Sequence, residues 1–432
     1  MSLIKRNNKH IINTKRINLL YTQLFILIVC LHTNFSFAQN RFLDSIKQIY
    51  PFIDTNFISI QNAPALTNFF NLLYLQEINK NQVINVSHIG DSHIQADFFS
   101  GKLRIELQKK FGNGGRGLIF PYRVAKTNEP WNIRTQGTGI WESKRCVFYE
   151  KPLPIGVSGI TLKCSDTLAE ITVTTNDQQN LDYRFNNLTL FHQKGAEYYD
   201  IMVLDEQNNI RGFINSNLMY PTPYISNCLL DSLFHTIKLK SYKRDSSNQH
   251  LIQIYGIYLK NNQPGVIYNT IGVNGAEYLH YNKADLFIEQ FKYLNSQLVI
   301  ISLGTNDLLP PNPDINHILA NIDTLITSIN KENPYANILI TTPGDFLRKR
   351  KIKNKHIEIF NKKLYDYCTT NHIAFWDWYN IMGGMGSVIS FNKKGLAQAD
   401  KLHLTRAGYE LQGELLFYAL MQAYTTYKNQ KP

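Results

Sequence analysis

Residues 128–260 carry a run of short strand-like segments with no long amphipathic helix among them, while the chain on either side alternates between apolar strands and helical stretches. No other feature restricts the fold as much. GITLKCS, EITVTTN, LTLFHQ, YYDIMVLDE, HTIKLKSY and LIQIYGIYLKN are separated by polar and Gly/Pro turn signals, with the spacing of an all-β sandwich. Upstream, Val83, Ile84, Val86 and Ile89 form a short apolar strand ending at Gly90-Asp91-Ser92, after which residues 96–111 take a helical period. Downstream, residues 297–304 are almost continuously apolar, as expected of a parallel strand covered on both faces. A helix (DINHILANIDTLITSINK), a strand (ANILITTPG), a helix over 355–369, a strand over 373–378 and a closing helix over 406–427 follow. Either α/β fragment alone would leave an incomplete sheet, so the pattern predicts one α/β domain split by an inserted all-β domain. Two further helices are expected around residues 42–49 and 65–75.

The composition allows this. Of 432 residues, 44% are hydrophobic and 12% aromatic, which excludes a disordered, collagen-like or coiled-coil chain. The formal charge is +12, but the first 38 residues hold Lys5, Arg6, Lys9, Lys15 and Arg16 and no acid, leaving an excess of seven for the rest. That excess suits an anionic surface and forms no block of the kind that binds nucleic acid. After the basic stretch, LLYTQLFILIVCL has the length of a signal h-region, and Ser36-Phe37-Ala38 offers a cleavage site before Gln39. The expectation is a signal peptide over 1–38 and export to the periplasm or cell envelope, or secretion. A retained anchor competes, although the run is short for about 30 Å of hydrocarbon. A lipobox at Cys30 competes less well, because Val29 stands where a small residue is expected. Cys146, Cys164, Cys228 and Cys368 fit no zinc spacing, and no metal or cofactor is expected. Cys146 and Cys164 could bridge neighbouring strands in an oxidising compartment, or serve as small core residues.

Ser92 follows an apolar strand and precedes a helix, a placement that can hold a hydroxyl at the C-terminal edge of a sheet beside first-turn N–H groups. A helix-capping serine is the plain alternative. Asp400 and His403, three apart just before the closing helix, can act as a carboxylate that orients an imidazole base for a serine. Asn306, after the strand ending at Gly304, can donate to a developing oxyanion or cap the next segment. Gly275 in NTIGVNGAEY offers an N–H at a strand-to-helix turn, with Gly272 the less favoured choice. Trp131, Trp141 and Tyr149 are potential sugar-stacking residues or buried aromatics. Trp376 and Trp378 alternate on a predicted strand, so at least one belongs to the core. The GNGGRG loop is expected to be a mobile or closely packed edge near the site, and Arg116 within it either meets an anionic substrate or is solvated.

These blocks together resemble the SGNH, or GDSL-like, hydrolase superfamily: HIGDSH with Ser92, NTIGVNGA with Gly275, LGTND with Asn306 and DKLH with Asp400 and His403. The resemblance implies an SGNH-hydrolase-like three-layer α/β/α domain interrupted by an all-β sandwich-like insertion. It also implies a Ser92, Asp400, His403 triad, and an oxyanion hole of the Ser92 and Gly275 N–H groups with Asn306. His93 departs from the family's usual leucine. The longer run GDSHIQADFFSGKLRIELQKKFGNGG, followed by a β-rich stretch and NGA, is similar to bacterial peptidoglycan O-acetylesterases. The implied organisation is a hydrolase domain over 39–125 and 266–432 around a β-sandwich-like insertion over 126–265, a candidate carbohydrate-binding domain. The implied partner is an O-acetylated glycan, foremost peptidoglycan. Transfer of acetyl to another sugar, deacetylation of a different polysaccharide, and a non-enzymatic glycan-binding wall protein are the alternatives.

Overall fold

The computed structural model describes residues 41–150, 153–219, 222–244 and 248–431. The expected signal segment and its cleavage site lie outside the described residues. The chain divides into two compact units at Thr55/Asn56. In the first, residues 41–49 are helical; the second holds the sheets and the site.

A six-stranded parallel sheet forms the centre, in the order Ala374–Trp376, Asn337–Thr341, Leu298–Ser302, Val83–Gly90, Gly265–Gly272, Asn113–Gly115. Its inner strands are buried nearly throughout because both faces are covered: every residue of Gly265–Gly272 is buried, as are seven of the eight in Val83–Gly90. Helices Thr67–Asn79, Phe99–Phe111 and Arg406–Asn429 pack together as one layer, and Tyr278–Asn282, Phe287–Phe291, Ile315–Glu332 and His356–Thr370 as the other. This is the expected three-layer α/β/α arrangement. The chain runs outward from Val83–Gly90 to one edge, returns beside it, then builds toward the opposite edge. The C-terminal end of that strand is therefore a switch point, where open α/β sheets form their crevices.

The residues between Asn113–Gly115 and Gly265–Gly272 make two antiparallel sheets. One runs Ile210–Ile214, Asp200–Leu204, Thr236–Tyr242, Glu170–Thr175, Ile133–Thr138; the other runs Ile225–Phe234, Phe185–His192, Ile252–Lys260, Ile160–Cys164, Trp141–Arg145. Alternating burial along Glu170–Thr175 marks a strand with one face in a core. Gly117–Ile119 pairs with Ile252–Lys260, so the chain leaves the central sheet and joins the inserted one within two residues. The GNGGRG glycines make that swerve possible. Gly117 has φ +79°, and a Cβ there would lie 2.5 Å from the Tyr268 carbonyl oxygen. The loop is thus a closely packed edge.

Among the described residues, no helix is long and apolar enough to cross a membrane. Cys146 and Cys164 are buried and not joined by a disulfide. Register explains this: Trp141, not Cys146, opposes Cys164, while the Cys146 N–H bonds to the Gly159 carbonyl. At about 3.3 Å per residue, the five-residue offset keeps the two thiols well beyond bridging reach. Trp376 and Trp378 are both core residues, stacked at 5.6 Å, but Trp378 opens the short helix Trp378–Ile381 instead of extending the strand.

Candidate active site

Ser92 is the first residue of the short helix Ser92–Gln95, placed directly beyond the Val83–Gly90 strand. Asp91 caps that helix, its carboxylate accepting the His93 N–H at 2.9 Å. The turn is tight because Gly90 carries no Cβ; one there would come within 2.2 Å of Ile94. Ser92 Oγ lies 3.0 Å from His403 Nε2, although 311 positions separate the two residues. His403 Nδ1 lies 2.7 Å from Asp400 Oδ2, and Asp400 Oδ1 accepts the N–H groups of Leu402 and His403 at 3.0 and 3.1 Å. Partial burial would raise the Asp400 pKa, but the His403 ring and these two N–H groups outweigh it and hold the carboxyl below its usual range. The Asp400–His403 segment is a turn, not a helix, with Lys401 at φ +53° and its carbonyl bonded to the Leu347 N–H.

Asn306 ties three blocks together. Its Nδ2 donates to Asp91 Oδ2 at 3.2 Å and to the Ala276 carbonyl at 3.0 Å, so both amide hydrogens are engaged in this resting arrangement. Gly275 and Gly272 differ in surroundings. A Cβ on Gly272 would lie 2.4 Å from the Gln95 N, marking it as a packing glycine, whereas Gly275 has φ +82° and open space where a Cβ would point. Among the described residues, neither the Ser92 N–H nor the Gly275 N–H has a backbone partner. N–H groups without a backbone partner can donate to an oxyanion that forms beside them. Burial pushes the Asp91 pKa up to about 7, against the opposing His93 N–H and His403. Burial, with the Glu277 charge next, pushes Asp307 up to about 8.

The expected substrate-contacting residues separate. Arg116 is neither solvated nor presented to a ligand: it is 1% exposed, with one terminal nitrogen 2.8 Å from Asp97 and 3.2 Å from Asn132. Trp141 packs its ring against the inserted core and donates to the Thr138 carbonyl, and Tyr149 is fully exposed. Trp131 alone approaches the site's elements, lying 4.3 Å beneath the guanidinium of Arg406, three residues past His403. Asp91 and His93 also belong to the constellation. Their signal was adjacency to the serine, which periodicity does not weigh.

Residues 244–411 match the GDSL-like lipase/acylhydrolase family, a span that begins within the inserted region, contains Gly275, Asn306, Asp400 and His403, and leaves out Ser92. Over that span the chain resembles the SGNH, GDSL-like hydrolase superfamily. Among solved structures it is similar to a peptidoglycan O-acetylesterase at 22% identity and TM-score 0.70, over 85% of this chain and 99% of that one. This likeness extends the shared fold through the inserted sheets. Smaller overlaps occur with a lipase/acylhydrolase from Enterococcus faecalis (22% identity, 38% and 77% covered, TM-score 0.29) and an acetyl xylan esterase (16%, 36% and 80%, TM-score 0.30). No curated protein matches the chain.

Proposed function

We propose that this SGNH-like protein is an exported serine esterase that removes O-acetyl groups from cell-wall peptidoglycan through an acetyl-serine intermediate. The observation that carries the reading is the alignment of Ser92, His403 and Asp400 at 3.0 and 2.7 Å. His403 Nε2 takes the Ser92 proton as Oγ attacks the acetyl carbonyl, and Asp400 stabilises the imidazolium that forms. The Ser92 and Gly275 N–H groups receive the oxyanion, joined by Asn306 once its longer bond, to Asp91, is released. The sugar alcohol leaves with the proton from His403. Water, deprotonated by the same nitrogen, then attacks the acyl group and frees acetate. In this reading the inserted sheets wall the cleft, and Trp131 is the aromatic nearest the glycan.

Asn306→Ala is expected to lower kcat by about a hundredfold to a thousandfold with a smaller change in KM, since its amide serves charge that develops only during attack. A folded N306A enzyme with near-normal kcat would remove Asn306 from the oxyanion hole. For the substrate, acetate release and new acetyl-sugar products are measured together on O-acetylated peptidoglycan, acetylated xylan and a short soluble acetyl ester, at low and high salt. Peptidoglycan is expected to outrank xylan even when salt screens the chain's positive charge. Preference for xylan at both salt levels would place the enzyme among general polysaccharide deacetylases, and acetyl-sugar products would make it a transferase.

A further inference from the structure

The position after the serine, leucine in the usual GDSL block, is His93 here, and its ring is held on several sides. It lies against His403 with ring centroids 5.2 Å apart and planes 29° from parallel. Its Nδ1 is 2.8 Å from the Tyr409 hydroxyl, and the two rings meet edge to face at 5.7 Å. Tyr409 is 3% exposed, sits six residues past His403, and has Phe98 stacked at 6.5 Å. The base and the residue that anchors its stacking partner are therefore on one short segment, clamped to the serine helix through His93.

We infer that His93 is a positioning residue, its ring face fixing the plane of the His403 imidazole so that Nε2 stays directed at Ser92. The inference rests on the serine mechanism proposed above. Asp400 secures only one end of the His403 ring, and about that contact the ring can still tilt; a flat neighbour opposes the tilt, whereas a leucine would supply volume without a face. The charged or titratable groups facing His93 are His403 and Asp400 on the base loop, Asp91 on its own element and Tyr409 on the closing helix. Burial, then the neighbouring His403, pushes the His93 pKa down to about 3, so the stack partner is neutral when His403 accepts the serine proton. A neutral π face beside an imidazolium attracts weakly, where a second cation would repel.

The test compares wild type, S92A, H93L and the double variant H93F/Y409F, which restores a ring face and leaves no orphaned hydroxyl. Steady-state hydrolysis of p-nitrophenyl acetate is measured for each, with proton NMR of the His403–Asp400 N–H signal. H93L is expected to lose about tenfold in kcat with KM little changed, the scale of a small misplacement of a reacting group. Its low-field N–H signal should broaden, and the double variant should recover most of both. Wild-type kcat in H93L, or a loss that the double variant does not restore, overturns the positioning role. Full activity in S92A overturns the serine mechanism itself, an outcome read separately from the His93 variants.

Discussion

Ser92→Ala is expected to fold as wild type and to lose turnover by about four to six orders of magnitude. The reason is specific to this arrangement. Removing Oγ deletes the attacking atom and leaves His403 Nε2 without its 3.0 Å partner, but the His403 side chain is 30% exposed, so water can satisfy the nitrogen and stability changes little. The backbone N–H groups at 92 and 275 remain, which sets the residual rate. His403→Ala should fall nearly as far, and the combined variant scarcely further, because the members of a triad act as one unit. The measurements are acetate release and mass spectrometry of quenched enzyme, where an acetyl adduct on Ser92 should appear in wild type alone. An adduct on another residue, with S92A still active, would sink the assignment.

Asp97→Asn is expected to destabilise the fold by about 3–5 kcal/mol, the cost of breaking a buried ion-pair network by removing one partner. Asp97 is fully buried and accepts from Arg104, Arg116, Asn132, Ser100 and Thr270 at 2.7–3.0 Å. Arg104 also reaches Tyr183 and Gln178 of the inserted region, so one carboxylate neutralises two buried cations and joins the serine-bearing segment to the inserted sheets. Burial alone would raise the Asp97 pKa, but the two arginines, helped by Asn132 and Ser100, hold it far below the usual carboxylate range. A carboxyl whose folded pKa is depressed stabilises fully above its unfolded value, about 4, and loses that contribution as pH falls toward the folded one. The denaturant midpoints of wild type and D97N should therefore differ most at neutral pH and converge below about pH 4. Equal midpoints at pH 7 would show that the network contributes nothing net.

The residues that meet at the candidate site could be picked out in the sequence, because they sit in short blocks whose backbone context is local. Ser92 follows an apolar strand and opens a short helix, and Asp400 and His403 share one turn. Arg116 was not legible, since a Gly-rich loop reads as exposed while its arginine is buried on Asp97 from elsewhere in the chain. The Cys146–Cys164 pairing failed for a similar reason: proximity of strands was inferable, register was not.

The inserted strands divide in the same way. The six foreseen by alternation lie inside their sheets, where neighbours on both sides impose the apolar pattern. The unforeseen Ile133–Thr138, Trp141–Arg145, Ile210–Ile214 and Ile225–Phe234 are the four terminal strands of the two sheets, and in each at least half of the residues are exposed or only half-buried. An edge strand is held by one ladder and need not write its burial into its residues. The sequence by itself determined the split α/β domain, the parallel core and the local turns that carry the candidate site residues, because periodicity and turn chemistry act over a few residues. Only the tertiary structure decided which side chains close around them: His93 against His403, Asn306 between Asp91 and Ala276, Asp97 between two arginines. Those contacts join segments up to several hundred positions apart, and no local pattern encodes them.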